Sequence, residues 1–219
     1  MKRQTNNKVY YPNLILVITG ITIILFGAYS IISLGLIRET KATVLNSLEN
    51  EYYVVGKEPT PYQKEVFLEI NDQLNQKTRD YKKITELVAK SFVIDFFGWS
   101  NKDSAYDIGG LQYMKDPKTF NDKAHWEYYQ KLDVFNSTYG KGKLPSVKAI
   151  NVDPIIQGRF ILGNQIVDAY KVSLDWSYDY TGNLNIKDFV KSAELTLINE
   201  NGKIVIVEVK MIKEVAEDE

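Results

Sequence analysis

Apolar and polar positions alternate along this chain in three successive patterns, and each predicts a different kind of element. The first is unbroken. From Leu14 to Ile37 the chain reads LILVITGITIILFGAYSIISLGLI, 24 residues without a charge. At about 1.5 Å per residue, a helix of that length crosses a hydrocarbon core of roughly 30 Å with some tilt. The second pattern is helical and runs from Thr60 to about Gly140. The third has period two and runs from Val147 to Ile212.

The helical region opens at Thr60-Pro61-Tyr62-Gln63. Thr60 suits an N-cap, Pro61 the first helical position, and Gln63 the returning half of a capping box. Val66, Phe67, Ile70 and Leu74 form one stripe, and Tyr81, Ile84, Leu87, Val88, Phe92 and Phe96 resume it. Between them the polar stretch Asn75 to Asp80 predicts a bend or a short break. SFVIDFFGW, Ser91 to Trp99, is apolar almost all round and therefore belongs in a core. Asp116-Pro117 starts a further helix, with Phe120, Ala124, Tyr128, Leu132, Phe135 and Tyr139 on one side and Gly140 as its stop.

A run of strands follows. Val147 to Val152 and Ile155 to Leu162 are divided by Asp153-Pro154, and Gly163-Asn164 marks a tight hairpin turn. The alternation is cleanest where Tyr170, Val172, Leu174, Trp176, Tyr178 and Tyr180 share one face. After a loop from Gly182 to Lys187, Phe189 to Asn199 points Ala193, Leu195 and Leu197 inward. Asn201-Gly202 then turns into Ile204 to Ile212, where Val205, Val207, Val209 and Met211 are predicted to line the core. Helices followed by antiparallel strands define an α+β domain.

The flanks of the apolar run orient it. Lys2, Arg3 and Lys8 precede it without an acid, which predicts a cytoplasmic N-terminus and an extracytoplasmic domain. A cleaved signal peptide is the alternative, but its apolar region runs only about 7–15 residues. The predicted organisation is a stub at 1–13, a transmembrane helix at 14–37, a helical stalk at 38–59, the α+β domain at 60–213 and an acidic tail at 214–219. In the stalk, Leu45, Leu48, Tyr52 and Val55 have the spacing of a short helical seam, and Gly20 and Gly27 share a face of the span. These six are candidate contacts of a homo-oligomer.

Charge narrows the partners. The whole chain carries a net charge of −1; without the three basic residues of the stub, 24 basic against 28 acidic residues leave −4. A domain that neutralises phosphates is clearly basic, so direct nucleic-acid binding is not expected. The chain has no cysteine, which excludes disulfides and thiolate metal sites. Its single histidine, His125, has no second histidine for a metal pair, and phosphate-binding glycine loops are absent. Asp95, His125 and Asp168 are the one acid–base set worth naming. No catalytic group, cofactor or metal is expected, because each of the three also has an ordinary structural reading. Trp126, Tyr129, Tyr170, Trp176, Tyr178 and Tyr180 are the candidate pocket or interface residues.

The SFVIDFFGWSNK segment, the helical layer after it and the run of strands together resemble the nuclear-transport-factor-2-like fold. With a cytoplasmic stub, one span and an external domain, the chain is similar to the scaffold proteins of type IV secretion (the VirB-eight-like family, with its Gram-positive conjugation relatives). The element order of residues 61 to 212 carries this resemblance. The Asn-Pro-x-Gly loop signature of the Gram-negative members is absent, and Asp153-Pro154 comes nearest to it. The resemblance implies a cone-shaped domain with a curved sheet of about four strands. It also implies a structural role in a cell-envelope machine, through contacts with other subunits.

Overall fold

The computed structural model describes residues 48–212, apart from Lys57, Gly182 and Asp188. The stub, the apolar run with Gly20 and Gly27, the stalk up to residue 47 with Leu45, and the acidic tail lie outside the described residues. Among the described residues no helix is long and apolar enough to cross a membrane.

Two helices form first. Helix α1 spans Pro61–Leu74 and α2 spans Tyr81–Phe97. Thr60 caps α1 by accepting from the Gln63 amide at 3.2 Å. The returning half of the capping box is not made, since the buried Gln63 Oε1 has no partner. Asn75 to Asp80 is a full break: Arg79 Nε donates to the Leu74 carbonyl at 2.9 Å, and the Asp80 carboxylate restarts the helix by accepting from the Lys82 and Lys83 amides. The last turns of α2 are buried on every side from Ser91 to Trp99, as their composition requires.

The third helical stretch is divided. Helix α3 spans Pro117–Ala124, a π-helical turn spans His125–Tyr129, and α4 spans Leu132–Tyr139. In a regular α-helix, side chains spaced by four drift around the axis, because the turn holds 3.6 residues. The wider π turn absorbs that drift. It keeps Ala124, Tyr129 and Leu132 buried while Trp126 stays outside.

The sheet has five antiparallel strands rather than about four: β1 Ser146–Val152, β2 Ile156–Leu162, β3 Gln165–Asp179, β4 Ser192–Glu200 and β5 Lys203–Ile212. Its order is β1-β3-β4-β5, with β2 also on β3. β1 and β2 lie end to end along one edge of the 15-residue β3. The pairing sums shift by one between Val152↔Leu174 and Ile156↔Lys171. The Asp153 amide still reaches the Ser173 carbonyl at 3.0 Å. Asp153-Pro154 is therefore a bulge in one interrupted strand, placed where proline has no amide to offer a ladder.

Val172, Leu174, Trp176 and Tyr178 face the helices as predicted; Tyr170 is half-buried and Tyr180 is exposed. β5 departs from the prediction. A bulge opposite Thr196 and Leu197 changes its phase. Ile204 and Ile206 face the main core before it, and Val209 and Met211 after it. Val205 and Val207 turn to the reverse face, where they join Phe160, Leu162, Val167, Ala169 and Ile198 in a second cluster.

The helical stalk is also corrected for the part that is described. Residues 48–56 contain no helix. The Asn50 side chain accepts from the Tyr52 and Tyr53 amides at 2.9 Å each, which folds a turn, and Glu49 bridges Val54. Leu48, Tyr52 and Val55 therefore do not form a helical seam. Val55 is buried, and Tyr53 enters the main core and bonds β5 through its hydroxyl, to the Ile204 carbonyl at 2.7 Å and the Ile204 amide at 3.0 Å.

Candidate functional site

Asp95 sits in the last apolar turns of α2 and is almost wholly buried. A carboxylate there requires partners, and it has two: Lys102 Nζ at 2.7 Å and the Gly110 amide at 2.7 Å. Gly109 and Gly110 make this approach possible. A Cβ on Gly109 would lie 2.0 Å from the Asp95 carbonyl oxygen, and Gly110 has φ of 75° against the Phe92 ring. The Tyr129 hydroxyl donates to the Phe96 carbonyl at 2.5 Å and accepts from the Gly109 amide at 3.3 Å. Its burial pushes that phenol well above its ordinary range, so it stays neutral. Asp95 and Tyr129 thus fasten the segment from Ser100 to Gly110 onto α2.

His125 holds the same segment from its other side. Its Nδ1 meets the Ala105 carbonyl at 2.8 Å, and its ring stacks on Tyr106 at 4.4 Å and meets Trp126 edge-on at 4.8 Å. Tyr106 is 78% and Trp126 69% exposed, so this ledge faces outward. Asp168 lies apart, on β3 opposite Arg159. The three acid–base candidates are not in contact with one another. Among the described residues no group of three His, Asp or Glu side chains has the spacing to hold a metal ion.

Of the six aromatic candidates, Tyr129, Trp176 and Tyr178 enter a common interior cluster, Tyr129 through Tyr128 at 5.5 Å and Trp99 at 6.0 Å. Trp176 packs on Phe97 at 4.4 Å, Phe97 on Tyr128 at 5.3 Å, Tyr128 on Trp99 at 5.3 Å, and Trp99 on Phe189 at 5.0 Å. The Tyr178 hydroxyl donates to the Val190 carbonyl at 2.7 Å, and burial pushes its pKa up to about 12. The indole nitrogens of Trp99 and Trp176 and the Tyr128 hydroxyl are buried without a partner. Tyr128 and Trp176 lie near the Tyr178 hydroxyl but do not meet it at hydrogen-bonding geometry. Sequence reasoning missed Trp99, Tyr128 and Phe189 as members, because three separate segments supply them. The helical stripe through Tyr128 and the SFVIDFFGW run were the signals present.

The most unusual surface is the β2–β3 hairpin. Gly163, with φ of 60°, turns the chain in two residues. Ile161 and Ile166 face each other across the ladder on the helix-side face, 71% and 67% exposed. Ile156, on the reverse face, is 65% exposed. Burying one isoleucine is worth about 1.5–3 kcal/mol, so three left in water are a substantial unused contact. Beside Ile161 and Ile166 a hollow of about 470 Å³ is lined by Gln157, Arg159, Asp168 and Tyr170. Farther along the same edge a cleft of about 540 Å³ opens between the start of α2 (Lys82, Lys83, Glu86, Lys90) and Ile150 to Ile155. Among the described residues nothing pairs with the outer edge of β2.

No known protein family, characterised protein or solved structure matches this chain.

Proposed function

We propose that this protein is a membrane-anchored structural component of a cell-envelope machine, most simply one of conjugative transfer or type IV secretion, and that it works through protein contacts. The charge-free run supports the anchor. The order of three long helical stretches and then an antiparallel sheet supports a nuclear-transport-factor-2-like domain outside the membrane. The observation that carries the reading is the β2–β3 hairpin, with an open edge and the exposed pair Ile161 and Ile166. Asp95 and His125, by contrast, are committed to structural bonds.

Replacing both Ile161 and Ile166 with Asp tests this. The variant is expected to keep its thermal unfolding, because both side chains already lie in solvent, and to lose cross-linking to its envelope partners in native membranes. Full retention of those cross-links at matched protein level would overturn the reading. An anchored ligand-binding module is the second reading, favoured by the three unpartnered polar atoms of the aromatic cluster. Loss of function in Trp176→Phe with the hairpin variant tolerated would favour it.

A further inference from the structure

The two edges of the sheet are treated differently. The first half of β5 is covered. Met114 bridges Ile206, the Lys115 amide donates to the Ile206 carbonyl at 2.8 Å, and the Tyr53 hydroxyl bonds both backbone groups of Ile204. On the opposite edge, nothing among the described residues pairs with β2 along IQGRFIL, and Arg159 is the one charge that the strand carries. Edges of that kind pair with other strands unless charge, proline or a cover prevents it.

The direction of the unused backbone groups follows from the register. A two-residue hairpin closes on a hydrogen-bonded pair, here Leu162 and Gln165. Counting back by two, Phe160, Gly158 and Ile156 direct their amides and carbonyls at β3. Gln157, Arg159 and Ile161 therefore direct theirs outward. The same count holds beyond the bulge, where Asp153 bonds Ser173 and leaves Ile150 and Val152 facing out.

We propose that this edge pairs with the same edge of a second copy of the chain, antiparallel, with Gly158 of both copies on the two-fold axis. The proposal rests on the protein-contact reading and names its partner. An isologous strand pair has to satisfy the outward groups and set like faces together. Centring on Arg159 would set two guanidinium groups directly opposite each other, which is destabilising. Centring on Gly158 sets Arg159 opposite Gln157 of the second copy and Ile156 opposite Phe160. Nothing obstructs the axis, because a Cβ built on Gly158 meets no atom within 4 Å. The same register carries Ile161 of the second copy to Ile155, at the mouth of the cleft beneath α2. Each exposed hairpin tip thus meets the other copy's cleft, and the sheet continues across the axis. Anchoring in one membrane would raise the effective concentration that a single strand pair needs.

The chain has no cysteine, so single cysteines report this contact without background. Gly158→Cys, Arg159→Cys, Phe160→Cys and, as a distant control, Lys118→Cys would each be placed in the full-length chain and oxidised mildly in native membranes. Directly opposed non-hydrogen-bonded residues have Cα atoms about 4.5 Å apart, within disulfide reach. Gly158→Cys is expected to give a covalent dimer in high yield, with much less from the other three. Adding Arg159→Pro, which removes an outward amide that β3 does not use, is expected to abolish that dimer while leaving thermal unfolding unchanged. A dimer formed best through Arg159→Cys or Phe160→Cys, or equally through Lys118→Cys, would overturn the proposal. So would no dimer in a Gly158→Cys chain that unfolds like the wild type. If that last result came with partner cross-links that Ile161→Asp/Ile166→Asp abolishes, the contact reading would stand and the edge would belong to a different protein.

Discussion

At the scale of single residues, the decisive feature is a buried charge whose role is mechanical. Asp95 and Lys102 are both nearly out of solvent and bond at 2.7 Å. Removing one partner strands the other charge, whereas replacing both with apolar groups of similar volume is often neutral or better. Asp95→Asn or Lys102→Met is therefore expected to cost about 3–5 kcal/mol in denaturant unfolding, with a clearly smaller cost for Asp95→Leu/Lys102→Met. Equal costs for the single and double variants would mean that the Gly110 amide, not Lys102, is the partner that matters. The buried phenols give a second expectation. Burial raises Tyr178 from 10.0 to about 12, and it raises Tyr53, Tyr113, Tyr128 and Tyr129 as well. A raised folded pKa means that the folded state holds the proton more tightly, so the stability is complete below pH 10 and is lost as pH climbs through 12. Phenolate absorbance from these residues is expected to appear together with cooperative unfolding in that window. Its appearance well before unfolding would place the rings in solvent.

At the scale of elements, what could be read from the sequence depended on periodicity surviving. The alternation from Val172 to Tyr178 and the caps at Thr60 and Asp116 are local, and the structure keeps them. Bulges are not local. Each inserts one residue and reverses the phase of everything after it. In β5, Val205, Val207, Val209 and Met211 look like one face, but the bulge opposite Thr196 and Leu197 divides them between two. The segment before Thr60 failed for another reason. Leu48, Tyr52 and Val55 have helical spacing, yet Asn50 offers its side chain to two backbone amides and folds a turn instead. That turn delivers Tyr53 into the core 151 residues away from its partner Ile204. A fragment of residues 60–212 is therefore expected to unfold at lower temperature than one of 48–212, because it loses a buried tyrosine and two hydrogen bonds. Identical midpoints would show that the segment adds nothing to the domain.

At the scale of the whole molecule, the aromatic core and the proposed contact surface belong to different ends of one long strand. β3 carries Trp176 and Tyr178 into the interior at its C-terminal half and Ile166 into solvent at its N-terminal half, with the Asp153-Pro154 bulge opposite Ser173 between them. The sheet that builds the core therefore also extends the hairpin beyond it. This division predicts how function should respond to change. Asp95→Asn acts on stability, His125→Ala lies away from the open edge, and Asp168→Asn, although opposite Arg159, is isosteric and leaves the outward backbone groups of β2 in place. At matched protein level all three are expected to keep any transfer or envelope phenotype. Exchange of residues 14–37 for an unrelated apolar segment, deletion of residues 1–12, or Ile161→Asp/Ile166→Asp is expected to damage it, because the proposed scaffold role needs both an anchor and a contact surface. The comparison is read from transfer frequency, with immunoblotting to equalise protein. If a point variant at His125 or Asp168 abolishes transfer while the exchanged span and the hairpin variant are tolerated, the chain acts through chemistry at those side chains and not through contact.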